Sequence, residues 1–171
     1  MQKITILPQK KKIRADFWDY SNAAAYFITI VTQNRVPFFG AIVGEQMALS
    51  TAGQCAVDCF NDIPQHFPDV VIDEFVVMPD HVHGILIFTK KLNNSEEKVT
   101  NRFGPQSMNL ASVVRGFKVG VTKGARLHIP KFAWQTRYHD RIIRNAAEHE
   151  RIRNYIRNNV VQHGKVKRKT A

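Results

Sequence analysis

The segment DVVIDEFVVMPDHVHGILIFTK (69–90) constrains the fold more than any other. Two runs rich in Val, Ile and Phe are parted only by Met78-Pro79-Asp80-His81, and proline followed by aspartate is ordinary tight-turn chemistry. Strands joined so tightly must lie side by side and antiparallel, because a parallel pair needs a crossover of a dozen or more residues. The chain therefore builds an antiparallel sheet, and its helices must pack on that sheet.

The remaining elements follow from periodicity. AAAYFITIVTQN (23–34) is apolar, β-branched and aromatic, and reads as a buried strand. VPFFG and AIVGEQ follow as a loop with hairpin character. Residues 49–63 repeat apolar side chains every three to four positions, with Ser50 or Thr51 as a cap and Pro64 beyond, and read as a helix. Residues 110–126 read as a second helix on the face Leu110, Val113/Val114, Phe117, Val121, despite Gly116, Gly120 and Gly124. Residues 138–143 form a short strand, and 146–159 a third, strongly basic helix. The order β, α, β, β, α, β, α predicts an α+β, ferredoxin-like sandwich.

At 171 residues the chain has the length of one domain. We place that domain at 21–162, between a basic N-terminal arm (1–20) and a basic tail (163–171). Charge is distributed unevenly. The total is 25 − 14 = +11, but residues 1–20 carry 5 − 2 = +3, residues 21–133 carry 10 − 9 = +1, and residues 134–171 carry 10 − 3 = +7. Basic ends on a nearly neutral body point to a polyanion, nucleic acid before an anionic membrane. Cys55 and Cys59 have no second pair with which to form a zinc site. The N-terminus lacks a signal-like apolar run, and no stretch approaches a membrane span. A cytoplasmic protein is expected.

His81 and His83 fall on one face of a strand, side by side. They can hold one divalent cation together, although two structural histidines at a strand start would look the same. Tyr155 shares a helix face with Glu148, Ile152 and Asn159 and is flanked by arginines, including Arg151. Cations favour a phenolate, and a phenolate is a nucleophile. Two imidazoles and an amide or carboxylate oxygen leave open metal positions, where a phosphodiester can be polarised and attacked. Glu148 is one candidate oxygen ligand. Asp80 reads as a turn residue, and Glu74 as buried or at an edge by its parity with Val70, Ile72 and Val76. His139 and Asp140 read as structural or DNA-facing.

Five blocks, in order, resemble the single-tyrosine HUH transposases, and within them the REP-associated tyrosine transposases: YFITIVTQNRVPFF, VVMPDHVHGILIF, LASVVRGFKVGVTK, WQTRYHDRIIRN and RIRNYIRNNV. The resemblance spans about Tyr26 to Val166. It implies a ferredoxin-like sandwich with the H-U-H on a central strand, His81, His83 and Asn159 as metal ligands, Tyr155 as nucleophile, and Mg²⁺ or Mn²⁺ as the ion. It implies cutting and rejoining of single-stranded DNA at the foot of a REP-like hairpin, through a 5′-phosphotyrosine with release of a free 3′-OH. The family's proline after the asparagine is Val160 here, which lets the helix run on. Arg14, Lys118, Arg151 and Arg157 are the expected DNA contacts, and Phe17, Trp18, Tyr20 and Trp134 are candidates for stacking on bases. A monomer is expected over a dimer. A hairpin-binding module without catalysis, and a phosphodiesterase using water, are the alternatives.

Overall fold

The computed structural model describes residues 24–89 and 109–169, the last five by backbone alone. The expected hairpin is present: β4 (Val70–Met78) and β5 (His81–Phe88) pair antiparallel, with Met78 opposite His81. β1 (Ala24–Val31) lies on the other side of β5, and β6 (His139–Ile143) beyond β1. The sheet order is β4-β5-β1-β6, antiparallel throughout. With α1 (Thr51–Asn61) after β1 and α3 (Leu110–Ala125) after β5, this is the β-α-β-β-α-β arrangement of a ferredoxin-like sandwich. The H-U-H residues sit on β5, a central strand. A separate small hairpin, β2 (Gly40–Val43) with β3 (Gln46–Leu49), leads into α1, and a short helix α2 (Ile63–His66) follows it.

The two faces of β5 serve different layers. Val82, Leu86 and Phe88 point into the main core with Phe60 of α1 and Val113, Phe117 and Val121 of α3. Ile85 points the other way, to Ile152 and Ile156 of α4 (Ala146–Lys169). A strand covered on both faces is apolar almost throughout, which is why HVHGILIF does not alternate. Gly84 is part of the design: a Cβ there would lie 2.4 Å from Phe60 Cζ.

Local chemistry fixes the helix starts. Ser50 caps α1 by accepting from the Gly53 amide at 3.1 Å. Asn109 and Ser112 form a reciprocal capping box on α3. The glycines that weaken residues 110–126 as an isolated helix have a packing reason. Gly120 and Gly124 face Cys59 and Cys55 of α1, and a Cβ on Gly124 would lie 2.4 Å from the Cys55 sulfur. Burial, then the neighbouring Cys55, pushes the Cys59 thiol up to about 12, so it packs as an inert neutral group.

Two expectations are corrected. The basic helix does not end near Asn159 but continues to Lys169, into the segment read as a tail. With valine rather than proline at 160, nothing removes the amide or forces the chain to leave the helix. In β4, strict alternation fails. A bulge between Ile72 and Glu74 puts Ile72 opposite Leu86 but Glu74 opposite Ile85, so Glu74 joins the α4 face and parts from Val70 and Ile72. Among the described residues no helix is long and apolar enough to cross a membrane.

Candidate active site

His81 and His83 leave β5 on the α4 face, with ring centroids 4.6 Å apart. Both are nearly inaccessible to solvent. Each has its Nδ1 engaged. Asp80 Oδ1 lies 2.5 Å from His81 Nδ1, and Thr29 Oγ1 lies 2.8 Å from His83 Nδ1. Thr29 reaches His83 because the β1–β5 register sets the two directly opposite. Asp80 is held in turn by Arg35 at 3.1 Å. Burial raises the Asp80 carboxyl, but His81 and Arg35 outweigh it and hold it below its ordinary value. Burial, then the neighbouring His81, takes His83 down to about 3, so this imidazole is neutral near pH 7.

Tyr155 comes to the histidines from α4. Its hydroxyl lies 3.2 Å from His83 Nε2, and its ring stands edge-on to Phe27 at 6.2 Å. Phe27 also stacks on His83 at 5.3 Å. Tyr155 remains 44% exposed, unlike its helix neighbours Ile152 and Ile156, so a large substrate can approach the phenol. Asn159 is one turn further on and buried.

Ion pairs fix the azimuth of α4 on both flanks. On the β4 side, Asp73 receives Arg153 (2.5 Å to Oδ1, 3.1 Å to Oδ2) and lies 2.8 Å from His149 Nε2. Glu74 receives Arg157 at 2.5 Å. Residues 149, 153 and 157 are spaced by four, one stripe of the helix. The bulge lets two consecutive acidic residues reach this stripe together. On the β6 side Glu148 accepts from the Arg144 amide at 3.0 Å and pairs with Arg141. Chiefly the Arg144 amide, then the surrounding arginines, keeps this carboxylate ionised. Glu148, the alternative oxygen ligand, is thus drawn toward Arg141 and the Arg144 amide.

The expected DNA contacts divide. Arg151 is exposed beside Tyr155, 3.9 Å from Glu148. Arg157 is committed to Glu74. Lys118 is on α3, the opposite layer, and its ammonium donates to the carbonyls of Gln135 (2.7 Å) and Arg137 (3.4 Å), where burial lowers its pKa. Trp134 packs among Phe39, Phe117 and Phe132 and donates to the Lys118 carbonyl, so its ring is a core group and not a free stacking platform. His139 is exposed on the histidine face, opposite Thr29. Arg14, Phe17, Trp18 and Tyr20 lie outside the described residues. Sequence reasoning missed Thr29 as the His83 partner, the Asp80–His81 contact, and the Asp73–His149–Arg153 cluster. The adjacent acids Asp73 and Glu74 inside an apolar strand were the available signal for the last.

The donor set suits a divalent ion. With each Nδ1 engaged, each Nε2 is the nitrogen left to coordinate, the pattern in which a second contact orients a metal-bound imidazole. Asn159 offers a side-chain amide on the same helix face as Tyr155, in a buried position. Among the described residues no group of three His, Cys, Asp or Glu is placed to hold a metal.

This fold is also that of a REP-associated tyrosine transposase whose structure was solved bound to a REP hairpin. The TM-score is 0.63 at 23% identity, over 90% of this chain and 76% of that one. The ferredoxin-like fold expected from the five sequence blocks is thus borne out. The chain is 37% identical over 159 residues to an uncharacterized protein of Haemophilus influenzae, covering 89% of this chain and 88% of the relative, and it belongs to one family with that protein. No family model matches the chain.

Proposed function

We propose that this protein is a single-stranded DNA nuclease and strand transferase that cuts and rejoins hairpin-associated DNA, with Tyr155 as nucleophile and Mg²⁺ or Mn²⁺ held by His81, His83 and Asn159. The observation that carries this reading is the approach of the Tyr155 hydroxyl to within 3.2 Å of His83 Nε2, on a fold shared with a transposase bound to a hairpin. A pure binding module has no use for a phenol aimed at a histidine pair.

The chemistry balances as a transesterification. The Tyr155 oxygen bonds to phosphorus, the bond from phosphorus to the 3′-oxygen breaks, the phenol proton goes to solvent, and the 3′-oxygen takes up a proton. The 5′-phosphotyrosine conserves the bond, so the reverse step rejoins a strand. The ion, when bound, supplies Lewis-acid polarisation of the phosphate oxygens. His83 holds the phenol beside the site until its Nε2 is needed, and its neutral imidazole keeps it able to coordinate. Tyrosine and histidines come from one chain, which supports action as a monomer. On this reading the protein works in the cytoplasm, where its DNA is.

The test is a denaturing gel with labelled single-stranded hairpins from repeats flanking the gene, in Mg²⁺ or Mn²⁺. A covalent DNA–protein adduct is expected, absent in Tyr155→Phe and His81→Ala. Cleavage that survives Tyr155→Phe would replace this mechanism with attack by water. Binding of these hairpins without any cleavage would favour the module.

A further inference from the structure

Beside Tyr155, on the side away from β4, lies a cavity of roughly 350 Å³ lined by Phe27, Arg141, Arg151, Ile152 and Tyr155. Its floor and walls are apolar or aromatic. Its rim carries two guanidiniums, 60% and 67% exposed for Arg141 and Arg151, both drawn to the Glu148 carboxylate. Glu148 thereby fixes where the two positive charges stand, while most of their donors still face solvent. The Phe27 and Tyr155 rings meet edge to face at 87°, and both present apolar surface to the cavity.

We infer that this cavity is a nucleotide pocket: it takes one unpaired base of the DNA strand between Phe27, Ile152 and Tyr155, with the adjoining phosphate on Arg141 and Arg151. This rests on the reading of Tyr155 as nucleophile and deepens it, for it assigns a seat to the nucleotide flanking the scissile phosphate. Three features favour that occupant. The volume is in the range of ordinary small-ligand sites and exceeds what one base needs. Aromatic walls bind any base by stacking. Paired guanidiniums match phosphate oxygens in geometry as well as charge. A second basic cavity, of roughly 430 Å³ on α3 beside Arg115 and Lys123, lies on the opposite layer and contains neither histidine nor Tyr155. It supplies the control.

The experiment uses the full chain in EDTA, so that no cutting occurs, with a short oligothymidylate carrying one 5-iododeoxyuridine. Photocrosslinked peptides are mapped by mass spectrometry, and affinity is measured against salt. Crosslinks are expected at Phe27 or Tyr155. The Arg141→Gln/Arg151→Gln variant should lose about 0.7 from the slope of log affinity against log salt, the contribution of one single-strand phosphate contact. Should the double variant fail to fold, Arg151→Gln alone keeps the Arg141–Glu148 pair and should lose a measurable part of that slope. Arg115→Gln/Lys123→Gln should leave the crosslink in place. Crosslinks confined to α3 or other surfaces, or a slope untouched in the arginine variants, would overturn the pocket. A protein that crosslinks at Phe27 yet forms no adduct with hairpin DNA in Mn²⁺ would support the pocket and sink the phosphotyrosine reading alone.

Discussion

Replacing Thr29 by valine removes one hydroxyl from the second layer of the site and little else. Valine has the same shape and suits a strand at least as well, so β1 keeps its pairing with β5 and β6. The loss is the 2.8 Å contact to His83 Nδ1, on an imidazole that is only 6% exposed. A buried nitrogen deprived of its partner costs about 1–3 kcal/mol. The Ile28 backbone also reaches the His83 ring, which places the cost at the low end, about 1 kcal/mol. For a chain of this length that is a fall of roughly 2–4 °C in Tm. The larger effect is on the metal. A second-layer partner that orients a coordinating imidazole is worth about 10–100-fold in affinity, and with Ile28 still present we expect about tenfold. Titration of Mn²⁺ by calorimetry, beside thermal unfolding of the apoprotein, separates the two quantities. Thr29→Ser, which restores the hydroxyl, should recover most of the binding. Wild-type Mn²⁺ affinity in Thr29→Val would refute the claim that Thr29 sets His83 for coordination, whatever happened to Tm.

The remaining expectations are briefer. Asp73 and Asp80 are both held below the ordinary value of 3.8; in each, burial acts upward but is outweighed by partners, Arg153 and His149 for Asp73, His81 and Arg35 for Asp80. Their contribution is fully present above that ordinary value and disappears as pH falls through the depressed folded-state values. Urea midpoints should therefore hold steady down to the unfolded carboxylate range and drop below it, and Asp73→Asn should flatten the drop; an acid limb unchanged in that variant would remove Asp73 as a source. Gly84→Ala should cost about 1–3 kcal/mol, because Phe60 is wedged by Phe75 and Phe117 and has little room to yield. An unaltered urea midpoint in Gly84→Ala would show that the Phe60 ring gives way. Tyr155→Phe should abolish the DNA adduct and lower Tm by no more than roughly 2–4 °C, since the 3.2 Å contact of the hydroxyl with His83 Nε2 is worth about 1 kcal/mol.

Strong local signals gave a large part of this fold. The turn at Pro79-Asp80 fixed the central hairpin, and apolar spacing located α1 and α3. The glycines of α3 look like helix weaknesses only while its partner is unknown; they are the hollows that admit Cys55 and Cys59. The site residues His81, His83 and Tyr155 were legible because a two-residue period and a helical period each leave a local trace. Thr29 left none. Its contact with His83 depends on the register of strands more than fifty positions apart, and no local pattern encodes that register. The true extent of α4 was half legible: Val160 permits continuation but does not require it. Asp80 was read as turn chemistry alone, since its link to His81 and Arg35 appears only when the loop after β1 folds back beside the turn.

The bulge in β4 connects these observations to the reaction. Tyr155 contributes little burial of its own, so its placement has to come from the rest of α4. Ile152 and Ile156 press the helix onto Ile85, but an apolar stripe two residues wide fixes rotation about the helix axis poorly. Rotation is fixed by charge at the flanks: His149, Arg153 and Arg157 against β4, Glu148 against Arg141 of β6. Without the bulge, Asp73 and Glu74 would point to opposite faces, and one of them would enter the apolar core beside Phe60. One extra residue in an outer strand thus spares the core a carboxylate and gives the helix two anchors. Through those anchors it sets the angle at which a phenol meets a histidine.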